Sequence, residues 1–300
     1  MRTAGTAIRP QPTKNKKMPS IVFSHANSFP ASTYRVLFED LRRRGFDVSA
    51  VGRYGHDDKY PVTDSWPNLV QQLADFAQEQ QQRTGEKAFL VGHSLGGFLS
   101  AMAAARHPQL ARGVVLIDSP LLGGWRASAF DVAKRAQVAG SLTPGKISRA
   151  RRNSWDSTQS AFEHFRSKKA FARWDERVLR DYVESGLTDL DGKRVLAFDR
   201  AVETAIYNTL PHSLAHLFKK HPLECPAAFI GGLESAELKQ LGMALTQRIT
   251  QGRITMLDGS HLFPMEQPHT TAAAIEAAVN NLASIALTQA PAPKKNPTRS

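Results

Sequence analysis

Cysteine is nearly absent from this 300-residue chain. The one present, Cys225, excludes an internal disulfide framework and any multi-cysteine metal site. Long apolar runs are missing too: none approaches the roughly 18–20 residues that cross a bilayer as a helix. The basic N-terminal stretch lacks the apolar segment of a secretory signal. A reduced, cytoplasmic setting, with no membrane partner, is the expectation. Acid is scarce: 27 Asp and Glu stand against 39 Lys and Arg, for a net charge of +12. The excess is unevenly spread, however. Residues 1–18 carry +5 and residues 291–300 carry +3, with no acid in either. Both ends are rich in Pro, Thr, Gln or Asn, the composition of frayed tails. Nucleic-acid binding needs a basic face on a folded element, so this charge predicts no nucleic-acid partner. What remains is ordinary for a globular protein. At 41% apolar residues, the chain can bury a sizeable core as one large domain or two modest ones.

Short apolar runs alternate with amphipathic stretches, the mark of a parallel α/β sheet. Strands are expected at 20–24, 47–51, 87–92, 113–117, 227–230 and 253–257. Helices are expected at 33–44, which stops at Gly45, and at 94–107 and 268–287. Another carries Trp66, Leu69, Val70, Leu73 and Phe76, with Asp64 or Ser65 as its cap and Pro67 in its first turn. Residues 123–220 show no clear buried strand. They hold segments rich in Arg, Lys and aromatics, too long for a loop, and read as a helical insertion. The predicted organisation is a basic tail (1–18), a core in two pieces (19–122 and 221–288), the insertion and a C-terminal tail (289–300).

The chemistry gathers in three places. Gly92-His93-Ser94-Leu95-Gly96-Gly97 follows an apolar strand and opens a helix. A serine hydroxyl is a poor nucleophile without a base beside it and donors for the oxyanion. A strand-to-helix elbow projects the serine above the sheet edge, and its glycines permit the tight turn. The helix N-terminus adds amides and a dipole that favours negative charge. Ser24-His25-Ala26-Asn27 ends the first strand, where a second oxyanion amide is needed. Asn27 N–H is preferred and Ala26 N–H is the alternative, with Leu95 N–H as the first donor. His25 comes too early for a Ser, acid, His order and reads as a residue that ties its loop together. Asp258-Gly259-Ser260-His261 follows the last strand, so His261, among 10 histidines, is the candidate base. The acid that orients it is Asp118, after the strand ending at Ile117, or Glu234, after the strand ending near Ile230. Asp258 suits a turn better. Asp118 is preferred.

Taken together, these residues resemble the α/β-hydrolase superfamily. The likeness covers roughly 19–122 and 221–288. It is carried by Ser24-His25-Ala26-Asn27-Ser28-Phe29-Pro30, by the elbow, and by Gly259-Ser260-His261-Leu262-Phe263-Pro264-Met265-Glu266. The chain looks most like bacterial capped serine hydrolases whose first loop reads His-Ala-Asn-Gly-Phe-Pro. Ser28 replaces that Gly, which restricts positive φ at this position. In related esterases with a Gly-x-x-Ser-like run, here Gly232-Leu233-Glu234-Ser235, the acid follows the earlier strand, which favours Asp118. Only 18 residues precede Pro19, with no convincing strand pair, so a reduced sheet of about six parallel strands is expected.

The resemblance implies an α/β-hydrolase fold with a helical cap over the nucleophile. It implies a serine hydrolase that acts on an ester-like carbonyl, with no cofactor and no metal. The alternatives are a C–C bond hydrolase of ring-cleavage diketones and a ligand receptor on the same fold. Residues 123–180 carry +8, which suits either solvated outer faces or a lure for an anionic small-molecule substrate. Cys225, before Pro226, reads as small core filler.

Overall fold

The computed structural model describes residues 18–121 and 144–288. Among them, nine strands occur in chain order: β1 (Ser20–Ser24), β2 (Asp47–Ala50), β3 (Ala88–His93), β4 (Ala111–Ile117), β5 (Ser154–Trp155), β6 (Leu187–Leu190), β7 (Lys193–Leu196), β8 (Ala227–Gly232) and β9 (Ile254–Leu257). Six of these form one parallel sheet in the order β2-β1-β3-β4-β8-β9. The four inner strands are buried almost throughout, as a parallel sheet covered on both faces requires.

Alternation along the strands divides the core in two. Ile21, Phe23, Phe89, Val91, Val115 and Ile117 face one layer, which includes α1 (Arg35–Arg43) and the helix Pro268–Thr288. That last helix buries Ala272, Ile275, Val279 and Leu282, an i, i+3, i+7 stripe. Val22, Leu90, Val114 and Leu116 face the other layer, which holds α2 (Pro67–Thr84) and α3 (Leu95–Arg106). Cys225 packs at the edge of this second layer, and burial pushes its thiol up to about 11. From β1 the chain moves outward to β2, then returns to the far side of β1 as β3. The carboxyl ends of β1 and β3 therefore flank a topological switch point, where open α/β sheets form a crevice.

Two expectations are corrected. Neither Asp64 nor Ser65 caps α2. Trp66 occupies the position before Pro67 at φ 59°, because its buried indole reaches across to Ile206 O and Thr209 Oγ1 and Ser65 N donates to Thr209 O. Anchoring to the insertion fixes that helix start. The insertion is also not purely helical: β5, β7 and β6 form an antiparallel sheet. Asp191 and Gly192, both at positive φ, make the β6–β7 turn, the two-residue geometry that Asp-Gly favours. Trp125, Phe130 and the basic residues 126, 134 and 135 lie outside the described residues. Of the ten Lys and Arg in 144–180, nine are exposed, and Arg151 alone is half-buried. No helix among the described residues is long and apolar enough to cross a membrane.

Candidate active site

Ser94 sits between β3 and α3 at φ 53°, ψ −117°, a conformation costly for any side-chain-bearing residue. It is held there from both sides. Ser94 N donates to Ile117 O at 2.9 Å, and the Ser119 hydroxyl donates to Ser94 O at 2.9 Å. The neighbouring glycines are steric necessities: a Cβ on Gly96 would lie 2.0 Å from Ser24 O, and one on Gly92 2.1 Å from Gly96 O. The elbow thus presses directly against the end of β1.

Asp118 follows β4 at φ 44° and is fully buried. Its Oδ2 lies 2.6 Å from His261 Nδ1, so the ring carries its proton on Nδ1 and turns Nε2 away. Asp118 is itself fixed by Gly232 N on Oδ1 (2.8 Å) and by the Ser235 hydroxyl on Oδ2 (2.6 Å). Burial disfavours the His261 cation, but the Asp118 hydrogen bond, then the Glu237 charge and that of Asp118, outweigh it and raise its pKa. Glu237 Oε2 is 3.8 Å from the same Nδ1. The other candidate acid, Glu234, is exposed and pairs with Arg173 at 2.6 Å. The structure brings Asp118 to His261 and leaves Glu234 on the surface. Asp118, Glu237 and His261 are also close enough to hold a metal ion. Their hydrogen bonds already satisfy Asp118 and His261 Nδ1, so no metal is needed to account for the arrangement.

The loops are tied by neutral histidines. His93 Nε2 donates to His261 O (2.9 Å), its Nδ1 accepts from the Tyr34 hydroxyl (2.8 Å), and Tyr34 Oη accepts from Ala26 N (3.1 Å). This chain joins the loops after β1 and β9 to the strand under Ser94. His25 Nδ1 donates to Ala26 O (2.8 Å) and its Nε2 accepts from Tyr54 N (3.1 Å), the loop-tying part the sequence suggested. Burial pushes His93 down to about 3 and His25 down to about 4. Ala26 N–H is therefore engaged, whereas among the described residues no acceptor sits on the amides of Asn27 or Leu95.

Sequence reasoning gave no part to Ser235, Glu237 or Glu266. Ser235 ends the Gly232-Leu233-Glu234-Ser235 run, and Glu237 lies two residues beyond it. Glu266 accepts from Ser260 N and Ser260 Oγ and so braces the His261 loop. The spacing of Ser260 and Glu266 was its only signal. Ser28 does adopt φ 77°, and its hydroxyl donates to Glu203 in the insertion. No local pattern announces that long-range pair.

Comparison with known proteins agrees with this fold. The profile of the alpha/beta hydrolase family matches residues 21–274. A serine hydrolase-like protein of Dictyostelium discoideum is 25% identical over 254 residues, covering 79% of this chain and 68% of its own length. Among solved structures, an E-2-(acetamidomethylene)succinate hydrolase aligns with a TM-score of 0.66 at 22% identity, covering 87% of this chain and 91% of that one. A peroxisomal alpha-beta-hydrolase of Saccharomyces cerevisiae aligns with a TM-score of 0.67 at 14% identity, covering 94% and 80%. At these identities the two structures speak for the fold.

Proposed function

The chain belongs to the alpha/beta hydrolase family, and on that premise we propose that it is a serine hydrolase that cleaves an ester-like carbonyl through an acyl-enzyme. The observation that carries this reading is the 2.6 Å bond from His261 Nδ1 to buried Asp118, whose chain neighbours Ile117 and Ser119 are bonded to the backbone of the strained Ser94. An Nδ1–H fixed by a carboxylate leaves Nε2 with its lone pair, the form a general base needs.

In this mechanism Ser94 Oγ attacks the carbonyl carbon while His261 Nε2 takes its proton. The amides of Asn27 and Leu95 hold the oxyanion, and Asp118 stabilises the imidazolium. His261 then protonates the leaving alcohol. Water, deprotonated by the same nitrogen, attacks the acyl-serine; the C–Oγ bond breaks, His261 returns that proton to Ser94 Oγ, and the acid leaves. The Ser94 hydroxyl makes no hydrogen bond among the described residues, and contacts of this kind commonly tighten with substrate in place. Each step uses protein groups and water, with no cofactor. The insertion acts as a lid that excludes water from the acyl pocket.

The test is direct. Wild type is expected to hydrolyse short p-nitrophenyl esters and to label with a fluorophosphonate probe, and Ser94→Ala to do neither. An unlabelled, inactive wild type would sink the proposal.

A further inference from the structure

We propose that Glu203, on the lid, is a positioning residue for the oxyanion loop: it fixes the backbone of Asn27 and Ser28, and with it the amide that meets the developing negative charge. The inference rests on the assignment of Ser94 as nucleophile and Asn27 N–H as oxyanion donor.

Two consecutive loop residues are tied to this one lid residue. Asn27 Nδ2 donates to Glu203 O at 3.1 Å, and Ser28 Oγ donates to Glu203 Oε1. Ser28 stands at φ 77°, where glycine is at ease and serine is strained unless its surroundings hold it. The hydroxyl that glycine lacks supplies that hold. The Asn27 amide lies in the peptide between Ala26 and Asn27, so Ala26 ψ and Asn27 φ set where it points, and holding residues 26, 27 and 28 holds both torsions. On the other side, Ala26 N–H is clamped by Tyr34 Oη. The loop is pinned at 26 by the core and at 27 and 28 by the lid.

Glu203 is well mounted for this part. It is 4% exposed, and Arg151 Nη2 lies 3.0 Å from its Oε2. Arg151 is the one basic residue among the described residues 144–180 that turns from solvent. Burial raises the Glu203 pKa, against the Arg151 charge and the Ser28 bond. The helix Arg200–Asn208 that carries it is capped by Asp199. It is bolted to the helix Pro144–Ala150 by Thr204 Oγ1 and Ser148 Oγ at 2.7 Å, and Arg200 reaches Arg151 O at 2.9 Å. A carboxylate so held transmits the position of the lid to the oxyanion loop. A simple latch, by contrast, would only hold the lid shut. Loss of a latch alters substrate admission and KM. Loss of a positioning contact weakens transition-state binding and lowers kcat.

The experiment compares wild type with Glu203→Ala, Glu203→Gln, Ser28→Gly and the double variant Ser28→Gly/Glu203→Ala. It reads kcat and KM on a p-nitrophenyl ester, Kd for an alkyl boronic acid as tetrahedral analogue, and hydrogen exchange over residues 25–30. Glu203→Ala is expected to lower kcat about 10-fold or more, a fraction of the 10²–10³-fold that loss of a whole oxyanion donor costs. KM should stay within about twofold, boronate affinity should fall in step with kcat, and Glu203→Gln, which can still accept from Ser28, should recover most of the loss. The double variant should be no worse than Glu203→Ala alone. Folded variants with unchanged kcat and boronate affinity, or a change in KM alone, would overturn the inference. Failure of the underlying reading looks different, since wild type itself would then take neither boronate nor fluorophosphonate. Exchange over 25–30 still reports the tether in that case: faster exchange in Glu203→Ala is expected, and unchanged exchange refutes the tether itself.

Discussion

The residue scale turns on which carboxylate serves His261. Three acids lie within a short stretch of fold, and they differ in burial and in what they touch. Asp118 is fully buried on Nδ1, Glu234 is spent on Arg173 at the surface, and Glu237 stands 3.8 Å off Nδ1 with its side chain 44% exposed. Asp118→Asn should therefore reduce kcat by about 10³–10⁴, because an amide cannot hold the Nδ1–H tautomer. Glu234→Gln should leave it within twofold, since an exposed ion pair contributes about 0–1 kcal/mol. Steady-state assay of the two variants decides between them, and the reverse order would reassign the acid. Glu237 acts through charge. Its carboxylate favours the His261 cation, so Glu237→Gln should lower the His261 pKa and move the acid limb of kcat/KM to lower pH. Glu237 is partly exposed, so solvent screening keeps the move small. A pH–rate profile with the limb unmoved, or moved upward, contradicts that role.

Elements were legible where their signal was local. The parallel strands could be read because both faces are covered, which writes each inner strand as an apolar run. The placement of Ser94 on a strand-to-helix turn and of His261 just after the last strand could be read because each depends on near neighbours. Features set by distant partners stayed hidden. The start of α2 depends on Trp66 reaching Thr209, so Asp64 and Ser65 misled. Strands β6 and β7 stayed hidden because β6 is mostly solvent-facing and β7 is half-buried at most, so neither has the apolar pattern of a strand. His93 shows the same lesson at the site. It ends β3 beside the elbow, and its two nitrogens join Tyr34, and through it the β1 loop, to the His261 loop after β9. His93→Phe keeps a planar ring, slightly larger, but strands the Tyr34 hydroxyl proton and the His261 carbonyl, each at about 1–3 kcal/mol. A loss of about 2–5 kcal/mol in urea unfolding is expected, with faster exchange in both loops. A loss under 1 kcal/mol would mean the histidine does not join them.

Across the whole molecule, buried neutral histidines make folding sensitive to acid. His25 and His93 are fully buried, and burial brings them down to about 4 and about 3 from the ordinary 6.5. Burial also lowers His56, His107 and His164. In the unfolded chain these rings take up protons as pH falls through about 6.5, whereas the folded protein keeps His25 and His93 neutral until their lowered values are reached. The unfolded state therefore binds more protons throughout that window, and stability falls as pH drops from 6.5 toward 4. His261 is raised instead, so its stabilisation is complete below pH 6.5 and is lost only as pH climbs through its folded value. It does not oppose the acid trend. Near pH 5 two rings differ by almost one proton each, which gives a slope of about 2–3 kcal/mol per pH unit. Urea unfolding at pH 7, 6, 5.5 and 5 measures it. A midpoint unchanged between pH 6.5 and 5 would mean that His25 and His93 are already charged in the folded protein. The hydrogen bonds that join the β1 and β9 loops through Tyr34 and His93 would then need a different set of donors.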